Sequence, residues 1–171
     1  VGEKKNIVMD IIKERRSIRK FEDRMIDDEI IKKIVEMGTW APSGLNNQPW
    51  SFVVIKDKDI KEKVSQQTKY GHIIRNAPVC IAVFLDKSKS YNRTKDIQAI
   101  GACVQNMLLT IHAMGLGGVW LGEILNRREE VEKILNVPEE FELMAVIALG
   151  YPAGSPGEGS RRPLDDVLTF I

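Results

Sequence analysis

Three stretches of the chain concentrate side chains that could hold a ligand. Arg15-Arg16-Ser17-Ile18-Arg19 sets three guanidinium groups around one hydroxyl. Guanidinium forks pair bidentately with phosphate oxygens and a serine adds a donor, so the stretch reads as a phosphate cradle. The competing reading is a helix end, where cations gain about 0.3–1 kcal/mol each from the dipole. The second stretch, Pro42 to Trp50 (PSGLNNQPW), gathers Ser43, Asn46, Asn47 and Gln48 between two prolines. It is either a plain turn or a stiffened set of donors and acceptors for a flat heterocycle such as a flavin pyrimidine ring. The third is Gly115 to Glu123 (GLGGVWLGE). Trp120 stands where a dinucleotide fingerprint needs its third glycine, and the order is helix then strand, the reverse of a Rossmann unit. What remains is a helix stop with a glycine-tolerant strand, or backbone lying close against a ligand.

Protein-borne acid–base or nucleophilic machinery is missing from the pattern. No Ser-His-Asp, Cys-His or HExxH arrangement occurs, and His72 and His112 lack metal-type spacing to any cysteine. His112 falls in a helical pattern and reads as a packing residue; His72, in Tyr70-Gly71-His72, reads as part of a loop. Cys80 and Cys103 lie in apolar runs without CxxC spacing, as buried free thiols of a reducing compartment do. Hard chemistry therefore falls to a bound cofactor. Lys+Arg 25 against Asp+Glu 24 gives a formal charge of +1, so no global field draws nucleic acid or an anionic membrane. The longest wholly apolar run, Val79 to Leu85, is far shorter than the ~20 residues that span a bilayer. The opening VGEKKNIVMDIIKERR has no long apolar core and is not read as a signal peptide; the expectation is a cytoplasmic protein.

The elements that must position these stretches follow from periodicity. Ile7, Val8, Ile11 and Ile12 predict a first helix ending among Arg15, Arg16 and Arg19. Asp27 can cap a second, with Ile30, Ile31, Ile34 and Val35 as its apolar face. Ser51–Lys56 reads as a buried strand, Lys58–Gln67 as a surface helix, and Pro78–Leu85 as a second buried strand. Asp96–Met114 is the longest helical pattern, apolar on more than one face, so that a sheet and another subunit could both cover it. Gly115 should stop it. Gly117–Leu121 is a short strand, Asn126 with Glu129 reads as a cap pair opening Arg127–Leu135, and Glu142–Leu149 is a last buried strand. Ala153–Pro163 is loop, and Leu164–Ile171 could add an edge strand or cross to a partner. The 171 residues make one α+β domain, residues 1–171, with helices around a mostly antiparallel sheet.

In order and spacing, RRSIRKF, APSGLNNQPWSFVVI, GACVQNMLLTIHAMGLGGVWLG, ALGYP and RRPLDDVL together resemble the FMN-dependent nitroreductase family, over nearly the whole chain from about Ile7 to Leu168. The resemblance implies an α+β fold in which two chains intertwine as a homodimer with FMN sites at the interface. It assigns Arg15, Arg16 and Ser17 toward the flavin phosphate and Arg19 toward the ring. Pro42, Ser43, Gly44 and Asn46 match the loop lent by the other subunit, Trp120, Leu121 and Gly122 the backbone near the reactive N5, and Arg161 a C-terminal phosphate-binding arginine. NADH or NADPH would serve as electron donor and a nitroaromatic, quinone or similar small oxidant as acceptor, in a ping-pong course. Two rivals stay open: a module that binds FMN without turnover, and a dehalogenase-type or flavin-breaking relative. The chain departs from the family at Gly159, where several members carry a phosphate-binding lysine, and at Ala99, where some have a polar flavin contact. Little room exists between Lys56 and Pro78 for a helical lid.

Overall fold

The structure, a computed structural model, describes residues 3–171, with side chains of the first helix from Ile7 onward. Its elements run α1 (Glu3–Glu14), α2 (Asp28–Thr39), β1 (Trp50–Ile55), α3 (Lys58–Ser65), α4 (Gly71–Asn76), β2 (Val79–Asp86), α5 (Arg93–Ala113), β3 (Gly117–Leu121), α6 (Arg128–Leu135) and β4 (Phe141–Gly150). The strands form one sheet in the order β1-β2-β4-β3, every neighbouring pair antiparallel. This is the expected α+β class. None of the described helices is long and apolar enough to cross a membrane.

Alternation along β2 divides the molecule into three layers. Val79, Ile81, Val83 and Leu85 face α2 and α5, while Cys80, Ala82 and Phe84 face the layer that holds α3, α4 and α6. A strand covered on both faces must be apolar throughout, which is why VCIAVFL carries no polar residue. Pairing slips between Val83↔Ala145 and Phe84↔Leu143, leaving Met144 as an extra residue on β4. That bulge explains why Leu143 and Ala145, two positions apart, serve opposite layers. The two thiols lie inside these layers, and burial pushes both Cys80 and Cys103 up to about 12, so neither is a nucleophile at neutral pH.

Helix ends follow local chemistry in most places. Asp57 accepts from the Ile60 N–H at 2.9 Å and Asn92 from the Lys95 N–H at 3.1 Å, capping α3 and α5. Gly115 (φ +74°) ends α5 in a left-handed turn, the Leu116 N–H reaching back to the Ile111 carbonyl at 3.0 Å. Asp27 occupies the cap position of α2, but its side chain makes no cap hydrogen bond.

Three expectations are corrected. Gly71 and His72 do not lie in a loop: they open α4, whose Ile73 and Ile74 are buried in the second layer, too short a segment to show a helical period. Asn126 does not cap α6. It sits inside a 3-10 turn, Glu123–Arg127, that runs directly into the helix, and its amide donates weakly to Glu123 at 3.5 Å instead. Leu164–Ile171 forms no strand on this chain: a 3-10 turn covers Leu164–Asp166, and the rest is exposed.

Candidate functional site

The end of α1 delivers the arginine stretch to the free edge of β3. After Glu14 the chain turns extended, Ser17 forms a parallel bridge with Gly118, and the Ile18 N–H donates to the Gly118 carbonyl at 3.0 Å. Gly117 makes the approach possible, because a Cβ there would lie 2.6–2.9 Å from the Ile18 side chain, its own Cβ included. Farther on, Phe21 bridges Pro152, the Glu22 N–H donates to the Tyr151 carbonyl, and the Ala153 N–H donates to the Lys20 carbonyl at 3.0 Å. The tail then returns so that Gly159 rests on the Arg16 guanidinium, with the position of an added Cβ 2.6 Å from Cζ. Residues far apart in sequence (15–19, 117–122 and 151–161) thus share one edge of the sheet.

The arginines there have distinct partners. Arg16 donates through Nη1 to the Lys13 carbonyl at 2.6 Å and the Arg15 carbonyl at 3.0 Å, so it closes the end of α1 as the bland helix-end reading holds. Arg15 is half-buried and Arg19 and Arg161 are exposed. Arg19 donates to the Ser17 carbonyl at 3.2 Å and Arg161 to the Ser160 carbonyl at 2.6 Å. Among the described residues none of the four has a carboxylate within salt-bridge reach, as is also true of Arg24, Arg127 and Arg162, whereas Arg75, Arg93 and Arg128 are paired. A cluster of guanidinium groups left without internal counter-charge is the donor set that a phosphate-bearing group requires.

Trp120 is partly exposed on β3 with its indole toward Gly101 of α5, Leu121 is buried in the second layer, and nothing lies within 4 Å of where a Gly122 side chain would begin. That open backbone suits close approach of a planar ring. Arg19 also lines a cavity of about 1020 Å³ together with Lys20, Lys61, His72 and Arg75. Gln98 is exposed and Ala99 buried on α5.

The Pro42–Trp50 loop lies elsewhere. Pro42 is exposed and Ser43 and Gly44 half-buried, and the Ser43 hydroxyl accepts from the Gln48 N–H at 3.0 Å. Leu45, Asn46 and Gln48 all take left-handed backbone, with φ of 56°, 54° and 47°. The loop is anchored at the start of α5, where Asn47 donates to Asp96 at 2.8 Å. Gly118, which carries the arginine stretch, packs against Ile111 near the other end of that helix. From Asp96 to Ile111 is about 22 Å at the helical rise. No hydrogen bond joins the loop to the arginine stretch or to β3 among the described residues.

Sequence reading missed two polar anchors. Asp96, in phase with Ile100, Cys103 and Met107 on the buried face of α5, is itself 0% exposed. A carboxylate in that phase was the available signal. Desolvation acts to raise its pKa, but hydrogen bonds from Ser90, Asn47 and the Asn92 and Tyr91 backbones outweigh it and hold the group below the usual carboxylate range. Glu123, next to Gly122, accepts from the Thr68 hydroxyl at 2.5 Å and from the Lys69 N–H at 3.3 Å, and so ties the end of β3 to the loop before α4. The Thr68 bond is the main cause that holds its carboxyl below the ordinary value.

The model of the nitroreductase family matches residues 12–69 and 61–151 of the chain. A protein of Methanothermobacter thermautotrophicus, provisionally named NADH dehydrogenase/NAD(P)H nitroreductase, is 38% identical over 152 residues, covering 88% of this chain and 80% of its own. The crystal structure of a provisionally named nitroreductase from Desulfovibrio desulfuricans in complex with FMN is 48% identical, with a TM-score of 0.91 over 96% of both chains. The NADPH:FMN oxidoreductase of Vibrio harveyi, solved with NAD+, is 26% identical, with a TM-score of 0.89 over 95% of this chain and 76% of that one. With the family model matching most of its length, the chain belongs to the nitroreductase family.

Proposed function

We propose that this chain, as one domain over residues 1–171, is an FMN-dependent NAD(P)H oxidoreductase that works as a homodimer. Its acceptors are nitroaromatic compounds, quinones or similar small oxidants, taken in turn with the nicotinamide nucleotide in a ping-pong course. The observation that carries the reading is the arginine stretch laid along β3 without internal carboxylates, beside the open backbone at Gly122. The FMN and NAD+ held by the two structural relatives support it.

The chemistry that a bound flavin supplies is hydride acceptance at N5 and its return to an oxidant after the nucleotide has left. In this reading Arg15, Arg161 and the Ser17 hydroxyl hold the phosphate, and Arg16 fixes the turn that aims them. Arg19 sets a permanent positive charge toward the pyrimidine side of the ring. Trp120, Leu121 and Gly122 line the reactive side with backbone, and a second copy lends Pro42, Ser43, Gly44 and Asn46. That last assignment is supported by the loop's distance from the arginine stretch within one chain, which two copies in opposite senses would close.

Titration of the apoprotein followed by flavin fluorescence tests the reading. FMN should bind far more tightly than riboflavin, and Arg15→Ala or Arg161→Ala should each weaken FMN by about 1.5–3 kcal/mol, the scale of a hydrogen bond to a charged group. Equal affinity for FMN and riboflavin would reject the phosphate assignment. Anaerobic stopped-flow mixing with NADH and NADPH, then with a panel of oxidants, measures donor and acceptor preference; a holoprotein reduced by neither nucleotide would reduce the chain to a flavin-binding module.

A further inference from the structure

The loop Pro42–Pro49 does not hold its own shape. Three of its residues that are not glycine, Leu45, Asn46 and Gln48, sit at φ between 47° and 56°, where side chains crowd the backbone. Its internal bonds are Gln48 N–H to the Ser43 hydroxyl, Asn46 N–H to the Ser43 carbonyl, Asn47 N–H to the Gly44 carbonyl and a long one, 3.4 Å, from the Gln48 amide to the Asn46 carbonyl. Leu45 is 85% exposed and makes no compensating burial. Such a conformation persists only where its surroundings over-determine it.

The Asp86 N–H holds the loop's end, donating to the Pro49 carbonyl at 2.9 Å, and Asp96 anchors its middle. Its two carboxylate oxygens divide their work. Oδ1 accepts from the Asn47 amide at 2.8 Å, in the loop. Oδ2 accepts from the Ser90 hydroxyl at 2.6 Å and from the Tyr91 and Asn92 N–H groups at 3.1 Å each, in the turn before α5. No cation pairs with it among the described residues, so hydrogen-bond donors and the first turn of α5 alone stabilise the buried charge. The Asn47 amide also donates to the Lys89 carbonyl at 3.0 Å; with acceptors on both sides its NH₂ can face only this way, which leaves its buried oxygen without a partner. The turn that Oδ2 fixes touches the loop a second time. The Tyr91 phenol lies against Gly44, in the space where a Gly44 side chain would stand.

We propose that Asp96 is a positioning residue for the flavin site. By holding Asn47 with one oxygen and the Tyr91 turn with the other, it fixes the loop residues Ser43, Gly44 and Asn46 in the orientation they present to a second copy's flavin. This inference rests on the reading that the loop lines such a site. The carboxylate never touches the flavin; its effect passes through Asn47 and Tyr91.

A double-mutant cycle on FMN binding by the full-length protein tests it. Asp96→Ala and Asn47→Ala should each raise the FMN Kd about tenfold, and the double variant should be no weaker than the weaker single one. The absorbance of flavin bound to the Asp96 variant should shift toward that of free FMN. Losses that multiply in the double variant, or an unchanged Kd in a folded Asp96→Ala protein, would overturn the assignment. Should Asp96→Ala not fold, Asp96→Asn, which keeps the shape and removes the charge, runs the same cycle: a shared loss with Asn47→Ala supports the assignment, and multiplying losses or an unchanged Kd overturn it. Wild-type protein that binds no FMN would instead defeat the functional reading on which the inference depends.

Discussion

At the level of single residues, four arginines of one type have separable tasks because their partners differ. Arg16 donates to carbonyls at the end of α1 and lies under Gly159, Arg161 donates to its neighbour's carbonyl, and Arg15 and Arg161 are the pair proposed for an external anion. An added side chain at 159 would begin against the Arg16 guanidinium, the mobile end of a long side chain that can swing aside. Arg19 allows a sharper test. Two-electron reduction of a bound flavin leaves negative charge on the pyrimidine side of the ring, and a guanidinium stays protonated at any working pH. Arg19→Ala should therefore lower the midpoint potential by roughly 30 mV, equivalent to about 1.4 kcal/mol for a two-electron couple. FMN should stay bound through Arg15 and Arg161, and reduction by NAD(P)H should slow. Spectroelectrochemistry on the saturated variant measures it; an unchanged potential would return Arg19 to the solvent-facing role its exposure also allows. The arginine and serine types at 15–19 were legible from sequence. Which arginine caps a helix was not, because that depends on where α1 stops and on a tail residue more than a hundred positions away.

At the level of elements, β3 serves as a shelf. One edge pairs with β4 and the other takes the chain at Ser17 and Ile18, and the close approach of Ile18 is what calls for glycine at Gly117. An added Cβ at Gly117 meets the Ile18 Cβ itself at 2.7 Å, and a branched side chain fixed so near its backbone cannot swing aside. Gly117→Ala should cost about 1–3 kcal/mol of stability through overpacking. It should also weaken FMN binding, although residue 117 has no assigned contact with the cofactor. Thermal unfolding with and without FMN checks both, and a variant of wild-type stability and FMN affinity would show that the Ser17–Gly118 bridge is dispensable. The glycine-rich stretch was visible in the sequence with two readings open. The structure bears out the helix stop at Gly115 and the strand after it, and adds the chain's own Ile18 as the close neighbour of Gly117. Helix α4 and the turn at Glu123–Arg127 escaped sequence reading for a common reason: each is shorter than two helical turns, and so carries no period.

At the level of the whole molecule, apolar surface is left over. Ile7, Val8, Met9 and Ile12 of α1 are exposed, as are Trp40, Leu45, Trp120 and the tail residues Leu164, Val167, Leu168 and Phe170, with Trp40 at 76% and Phe170 at 87%. The sheet and α2 together cover the buried side of α5, with Cys103 and Met107 against Gly38 of α2, while Ile97 on another face stays exposed. In the proposed homodimer a second copy would cover these side chains and also bring the Pro42–Asn46 loop to the arginine stretch. Sedimentation at micromolar concentration should find a dimer, whose interface belongs in the obligate class of roughly 2,000–5,000 Å²; a stable monomer saturated with FMN would defeat the shared site. Much of this was determined by the sequence alone. Helical and strand periods gave the helices and the mostly antiparallel sheet, the glycine after Met114 set the end of α5, and the lack of acid–base groups directed the chemistry to a cofactor, because each depends on residue type at short spacing. Tertiary structure decided the rest: that Arg16 donates to carbonyls at the end of α1, that Asp96 is buried and bonded to Asn47 of the loop, and that this loop and the arginine stretch lie toward opposite ends of α5. Those facts depend on which distant segments meet, and hydrogen-bond partners and buried charge are settled only when the chain has brought them together.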